Sequence, residues 1–194
     1  MIAVWWMGLS AVDEEALHRV RAHLCGLFER PVQTALRGGC PQDAFDAARQ
    51  QWSSSRLLAW VSQQPAPQAD KVLGVFDGDL FIPVLSWVFG EAQLGGRCAV
   101  VSTARLHVPA AETGGWRALL SRGKDPREVF LVRLVKECAH ELGHTFGLVH
   151  CHDAACLMSR SSTLLHVDAK SAALCSRCRR KLLRPHLAGS GAPS

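Results

Sequence analysis

The chain has 194 residues, 48% hydrophobic and 20% charged, with a mean hydropathy of +0.06. That length suffices for one domain with its own core, and the composition excludes both a disordered chain and a membrane protein. The net charge of +5 is uneven: residues 1–150 carry 15 Lys/Arg against 15 Asp/Glu, so the excess of 7 over 2 lies in residues 151–194.

The opening MIAVWWMG has no basic region before its apolar run, and Asp13-Glu14-Glu15 follows, so no secretory signal is read there. The expected location is the cytoplasm, where eight cysteines are more readily ligands or buried thiols than disulfides. No run approaches the ~20 apolar residues that cross a bilayer, so no membrane partner is expected.

Residues 2–7 read as a buried strand closed by Gly8. Ala16, Leu17, Val20, Leu24, Leu27 and Phe28 then recur at helical spacing, with Asp13 as N-cap and Pro31 as the stop. A strand at 32–36 precedes a second helix, expected from Asp43 through Phe45, Ala48 and Trp52 to Trp60. Residues 71–76 form a third strand, and Leu80–Phe89 and Arg97–Leu106 are β-rich neighbours across a turn at Gly95-Gly96. Thr113–Lys124 is a polar loop.

Asp125-Pro126-Arg127-Glu128 starts a helix with an N-cap, a proline at the first position and a capping-box glutamate. Phe130, Leu134, Cys138, Leu142 and Phe146 make its apolar stripe, while Arg133, Glu137, His140 and His144 line another face as a polar one. Histidines at i and i+4 differ by about 40° and ~6 Å, so His140 and His144 can reach one ion. Glu141, rotated away by ~100°, is a poor ligand but a suitable general base beside a water at the open position. Gly147 stops the helix in the left-handed region, and the turn can return His150 as a third ligand. Three ligands and an open position are what separate a catalytic zinc site from a structural one. The alternative is a helix with incidental surface histidines.

Cys151, Cys156, Cys175 and Cys178 form two pairs spaced for a closed all-cysteine structural zinc site. A disulfide within either pair is the competing reading. Cys25, Cys40, Cys98 and Cys138 fit no ligand pattern.

HELGHTFGLVH matches the metzincin signature HExxHxxGxxH, and its continuation through Cys151, Cys156, Met158 and the 175–178 CxxC resembles the archaemetzincin family. One residue fewer separates Met158 from the last cysteine pair than in that family. DGDLFIPVLSWVFGEAQLGG and AVVSTARL upstream are also similar. The resemblance implies an α+β, metzincin-like fold: a twisted mixed sheet with two backing helices over residues 1–147, then a small, mainly helical subdomain over 148–186 holding the four-cysteine zinc site. The C-terminal helix is expected from Asp168 to Leu183, and 187–194 is a disordered tail. The resemblance implies a zinc metallopeptidase with two zinc ions per chain, a peptide or protein substrate, Glu141 as base, and Met158 as the Met-turn floor beneath the histidines.

Several metzincin groups place a tyrosine near the metal; this chain has none, so that device is excluded. His107, His152, His166 and Arg160 are the other donors in reach by sequence. Substrate is expected to pair, extended, with an edge strand near Ala99–Thr103. The alternative function is a non-catalytic zinc-stabilised interaction module that binds nucleic acid through Arg177, Arg179, Arg180, Lys181 and Arg184; Glu141 argues against it. Four thiolates and one zinc leave a local charge of −2, which those basic residues can neutralise without a nucleic-acid partner.

Overall fold

The computed structural model describes residues 1–8, 10–107 and 125–183; the expected loop at 113–124 and the tail at 187–194 lie outside them. Ile2–Trp6 is strand β1, Glu14–Phe28 helix α1 and Val32–Leu36 strand β2. Asp13 caps α1 as expected, accepting from the Ala16 N–H at 3.0 Å. Its carboxylate also takes both ends of the Arg127 guanidinium at 2.6 Å, tying the start of α1 to the start of the helix that carries the histidines.

The helix expected from Asp43 to Trp60 is a 3-10 turn (Gln42–Ala44), strands β3 (Phe45–Asp46) and β4 (Gln51–Ser53), and only then helix α2 (Ser54–Gln63). Asp46 accepts from the Ala48 and Arg49 N–H groups and Gln50 takes φ +55°, which reverses the chain. Ser53 then caps α2 by accepting from the Arg56 N–H. Trp52, read as a helical position, packs edge-on against Phe76 from a strand.

Lys71–Phe76 is β5, Leu80–Ile82 β6, Leu85–Val88 β7, Gly90–Ala92 β8 and Cys98–Ser102 β9. The main sheet runs β2-β1-β5-β9-β8, with the first four strands parallel and β8 antiparallel to β9. The β-rich stretch expected from Leu80 to Phe89 is therefore divided. Its β6–β7 hairpin belongs to a smaller sheet ordered β3-β4-β6-β7, and only β8 beyond it neighbours β9. The expected edge strand near Ala99–Thr103 is interior, buried at every position of β9; the edge is β8.

Strands buried on both faces read as continuous apolar runs, which accounts for IAVWW and CAVVS. Alternate residues serve two cores. Ile2, Val4, Leu73, Val75, Ala99 and Val101 face α1 and helix α3 (Pro126–Thr145), while Ala3, Trp5, Val72 and Val100 face α2. The fold is thus mixed α+β, with α1 and α3 backing one face of the main sheet as expected.

Helix α3 begins as predicted, with Asp125 accepting from the Arg127 N–H and Pro126 first. The capping-box partner Glu128 is used differently: its carboxylate takes Arg19 of α1 at 2.9 and 3.1 Å. The polar stripe is not a solvated face. Arg133, Lys136 and Glu137 are all buried, and each has a partner beyond α3. Arg133 meets the Asp168 carboxylate at 2.6 and 2.7 Å and the Leu106 carbonyl at 3.0 Å; Lys136 donates to the Val167 carbonyl at 2.9 Å. Buried charges persist only with such partners, because an unpaired one costs about 3–5 kcal/mol.

The helix expected from Asp168 to Leu183 is two: α4 (Leu164–Ala169), capped by Thr163, and α5 (Ser176–Leu183). Asp168 lies inside α4. Between them, residues 170–175 are a non-helical strap, tied to the 155–157 loop through Ser171 N–H to Ala155 O at 2.8 Å and Leu157 N–H to Ala173 O at 3.0 Å. Those bonds take backbone groups that a continuous helix would need. No helix among the described residues is long and apolar enough to cross a membrane.

Candidate active site

The last turns of α3 carry His140, Glu141 and His144, with the first two buried. Rise and rotation bring the two histidine Nε2 atoms to 3.2 Å. The helix ends in a Schellman turn: the Gly147 N–H bonds to the His144 carbonyl at 2.9 Å and the Leu148 N–H to the Gly143 carbonyl at 3.1 Å. Gly147 has φ +81°, where a Cβ would be strained. The turn does two jobs. It aims the Leu148 carbonyl back at His144 Nδ1, 2.7 Å away, and it brings His150 round to within 5.4 and 4.9 Å of the His140 and His144 ring centres. One ligand atom from each of the three histidines lies within 4.8 Å of the others.

His140 Nδ1 faces the Leu157 carbonyl at 2.9 Å. A carbonyl only accepts, so Nδ1 carries the hydrogen in both rings and Nε2 keeps its lone pair. Burial depresses the pKa of all three imidazoles, that of His140 furthest, and the Lys170 ammonium adds to the effect on each. Neutral, convergent nitrogens suit zinc. At Zn–N distances of 2.0–2.1 Å a tetrahedral pair stands roughly 3.4 Å apart, which His140 and His144 already approximate.

Glu141 is 8% exposed, and burial pushes its carboxyl up to about 8, with the neighbouring Glu137 carboxylate adding to the rise. It lies against edge strand β8. A Cβ on Gly90 would stand 2.7 Å from Glu141 Cγ and 2.6 Å from the Val100 carbonyl oxygen, so only glycine lets the strand and the carboxylate meet. Gly90 is a site residue that the sequence reading missed; a lone glycine inside a β-rich run is the signal that marks such a close approach.

Met158, fully buried, sits under the helix with Sδ where a Cβ on Gly143 would be 2.7 Å away, and its carbonyl accepts from the Cys151 N–H at 2.9 Å. Of the four other donors, Arg160 is exposed, and its charge contributes to the lowered His150 pKa. His107 instead stacks on Phe130 at 4.0 Å near the start of α3, and His166 bonds Ser162. His152 is exposed beside the cysteine cluster.

Cys151, Cys156, Cys175 and Cys178 present their sulfurs within 4.8 Å of one another. All four are free thiols, so the disulfide reading is not the arrangement seen. Cys175 sits at the start of α5, where the Cys178 N–H holds its thiol down at about 7; burial pushes Cys178 up instead. The cluster touches the histidine trio through the peptide bond between His150 and Cys151. On α5, Arg177, Arg180 and Lys181 are exposed and Arg179 reaches Glu29 at 3.4 Å.

Three convergent histidine nitrogens, two of them with a buried carboxyl on the helix that backs a mixed sheet, point to a metallopeptidase, and comparison with known proteins agrees: the chain is a zinc metallopeptidase. It belongs to peptidase family M54, whose model matches residues 31–184. Its relatives carry the name archaemetzincin; that of Methanopyrus kandleri is 44% identical over 148 residues, covering 76% of this chain and 75% of that protein. The crystal structure of archaemetzincin from the same organism matches with a TM-score of 0.78 at 36% identity, covering 94% of each chain. A zinc-dependent peptidase from Methanocorpusculum labreanum matches with a TM-score of 0.75 at 28% identity, covering 94% of this chain and 100% of that one.

Proposed function

We propose that the chain hydrolyses peptide bonds with Glu141 as general base, a zinc ion held by His140, His144 and His150, and a second, structural zinc held by Cys151, Cys156, Cys175 and Cys178. The observation that carries this reading is a buried Glu141 carboxyl, next in sequence to the first of three convergent histidines and packed against a sheet edge at Gly90. Bound there, zinc supplies a Lewis acid that polarises a carbonyl, acidifies water and draws the Glu141 carboxyl back towards its ionised form.

The chain's own groups do the rest. The Leu157 and Leu148 carbonyls fix the orientation of two imidazoles through Nδ1. Glu141 takes a proton from the attacking water and returns it to the leaving amine nitrogen. A peptide or protein substrate lies extended along β8, an edge strand among the described residues, and the bare backbone at Gly90 brings the scissile bond near Glu141. Met158 and Gly143 pack without polar chemistry and keep the floor of the site apolar.

The exposed Arg177, Arg180 and Lys181 give the interaction-module reading its support, but that reading gives Glu141 and the open histidine trio no role. Cleavage of a peptide library by wild type and Glu141→Gln decides between them. A fall of roughly 10²–10⁴ in kcat is expected with zinc content unchanged; equal cleavage by both proteins contradicts the assignment.

A further inference from the structure

Behind His140, on the side away from its Nε2, lies a charge pair that the proposed chemistry does not use. Lys170 is the first residue of the strap that follows α4, and its side chain is fully buried. Its Nζ stands 2.8 Å from Glu137 Oε1 and 3.4 Å from His140 Nδ1. At that distance the buried ammonium is the charge partner of the buried Glu137 carboxylate. The contact with His140 is no hydrogen bond, since Nδ1 gives its hydrogen to the Leu157 carbonyl and an ammonium has no lone pair to accept one.

Glu137 and His140 are three residues apart on α3, one turn on the same face. A buried carboxylate one turn from an imidazole N–H is the usual partner of a metal-bound histidine, and it makes the ring a stronger, more electron-rich ligand. Here the ammonium holds the carboxylate oxygen, and a neutral carbonyl takes Nδ1–H instead. We propose that Lys170 is a positioning residue of the histidine centre: it keeps the Glu137 carboxylate off His140 Nδ1, so that His140 is a neutral, weakly donating ligand and the bound zinc keeps its acidity. The same strap supplies the second half of the arrangement. Leu157, whose carbonyl receives Nδ1–H, is itself held by the Ala173 carbonyl, so residues 170–173 set both what reaches His140 and what is kept from it.

The inference rests on the reading of His140 as a zinc ligand and makes a prediction of sign that mere packing does not. Lys170→Met frees the carboxylate to take Nδ1–H, so zinc is held about 10-fold more tightly while kcat falls about 10-fold. Glu137→Gln leaves the ammonium beside the ring without its counter-charge, so zinc is held about 10-fold more weakly. The double variant Lys170→Met/Glu137→Gln removes both charges and returns zinc affinity towards wild type. The measurement is zinc affinity by chelator competition, with kcat and KM read separately, on full-length protein. Opposite signs in the single variants with recovery in the double support the proposal. Looser zinc in both singles, with no recovery in the double, overturns it and leaves the pair a structural brace. Should Lys170→Met fail to fold, the double variant against Glu137→Gln alone carries the test: tighter zinc in the double supports the proposal, and equal or looser zinc overturns it. If His140→Ala binds as much zinc as wild type, the ligand assignment itself has failed, an outcome separate from these.

Discussion

The two clusters that could hold a metal ion touch in sequence at His150-Cys151 but are built in opposite ways. The histidine centre stands on α3, 20 residues long and buried through most of its last three turns, where it packs against α1 and the main sheet. The cysteine cluster hangs on two turns, a non-helical strap and the eight-residue α5, whose one buried residue is the cluster's own Cys178. Its apolar support is a small group of Leu148, Cys156, Met158 and Cys178. Helices this short are marginal alone. The first cluster is therefore positioned by the fold, and the second must help to make the fold around it.

That contrast breaks most sharply at the cysteines. Cys175→Ser/Cys178→Ser should strip amide protection from residues 151–183 in hydrogen exchange while β1, β5, β9 and the first half of α3 stay protected, because metal binding is folding energy for such a segment. Uniform loss across the chain would show the two regions to be one cooperative unit. At the histidine centre an equally local change should fall on rate, beyond the modest loss of stability that overpacking brings. Gly90→Ala pushes a methyl into Glu141 Cγ and the Val100 carbonyl. A displacement of about 1 Å in the carboxylate costs on the order of 10²-fold in kcat, and an unchanged kcat would place the reacting carboxylate elsewhere.

The smallest effect concerns how α3 is anchored at its far end. The Arg127 guanidinium holds the Asp13 carboxyl below its ordinary 3.8. A carboxylate lowered on folding stabilises fully above that unfolded value and loses its contribution as pH falls through the folded one. Asp13→Asn keeps the cap and removes the charge, so it should cost less than about 1 kcal/mol near neutral pH, with the difference from wild type closing in acid below 3.8. A difference that persists there would mean that the cap, and not the ion pair, was lost.

The sequence was most readable where chemistry is local. Asp125-Pro126 and the four-residue stripe marked α3, and HELGHTFGLVH with the two cysteine pairs marked both clusters, because helical geometry and one glycine turn suffice to bring those side chains together. Reading failed where the partner lies far along the chain. Arg133 and Glu137 read only as part of a polar stripe until Asp168 and Lys170, more than thirty residues on, are seen to meet them. Phe45, Ala48 and Trp52 keep helical spacing by chance over a stretch too short to decide it, while the cap at Ser53 carried the better signal. Strand order is invisible to local patterns, so β9 passed for an edge that belongs to β8 and Gly90 went unnoticed.

The proposed function requires two separate zinc sites in one chain, one that reacts and one that holds. Zinc content measured per chain in wild type, His140→Ala and Cys175→Ser/Cys178→Ser tests it directly. Two ions in wild type are predicted, one in His140→Ala with folding retained, and loss of the cysteine-bound ion in the last. A single ion in wild type that survives His140→Ala would contradict it.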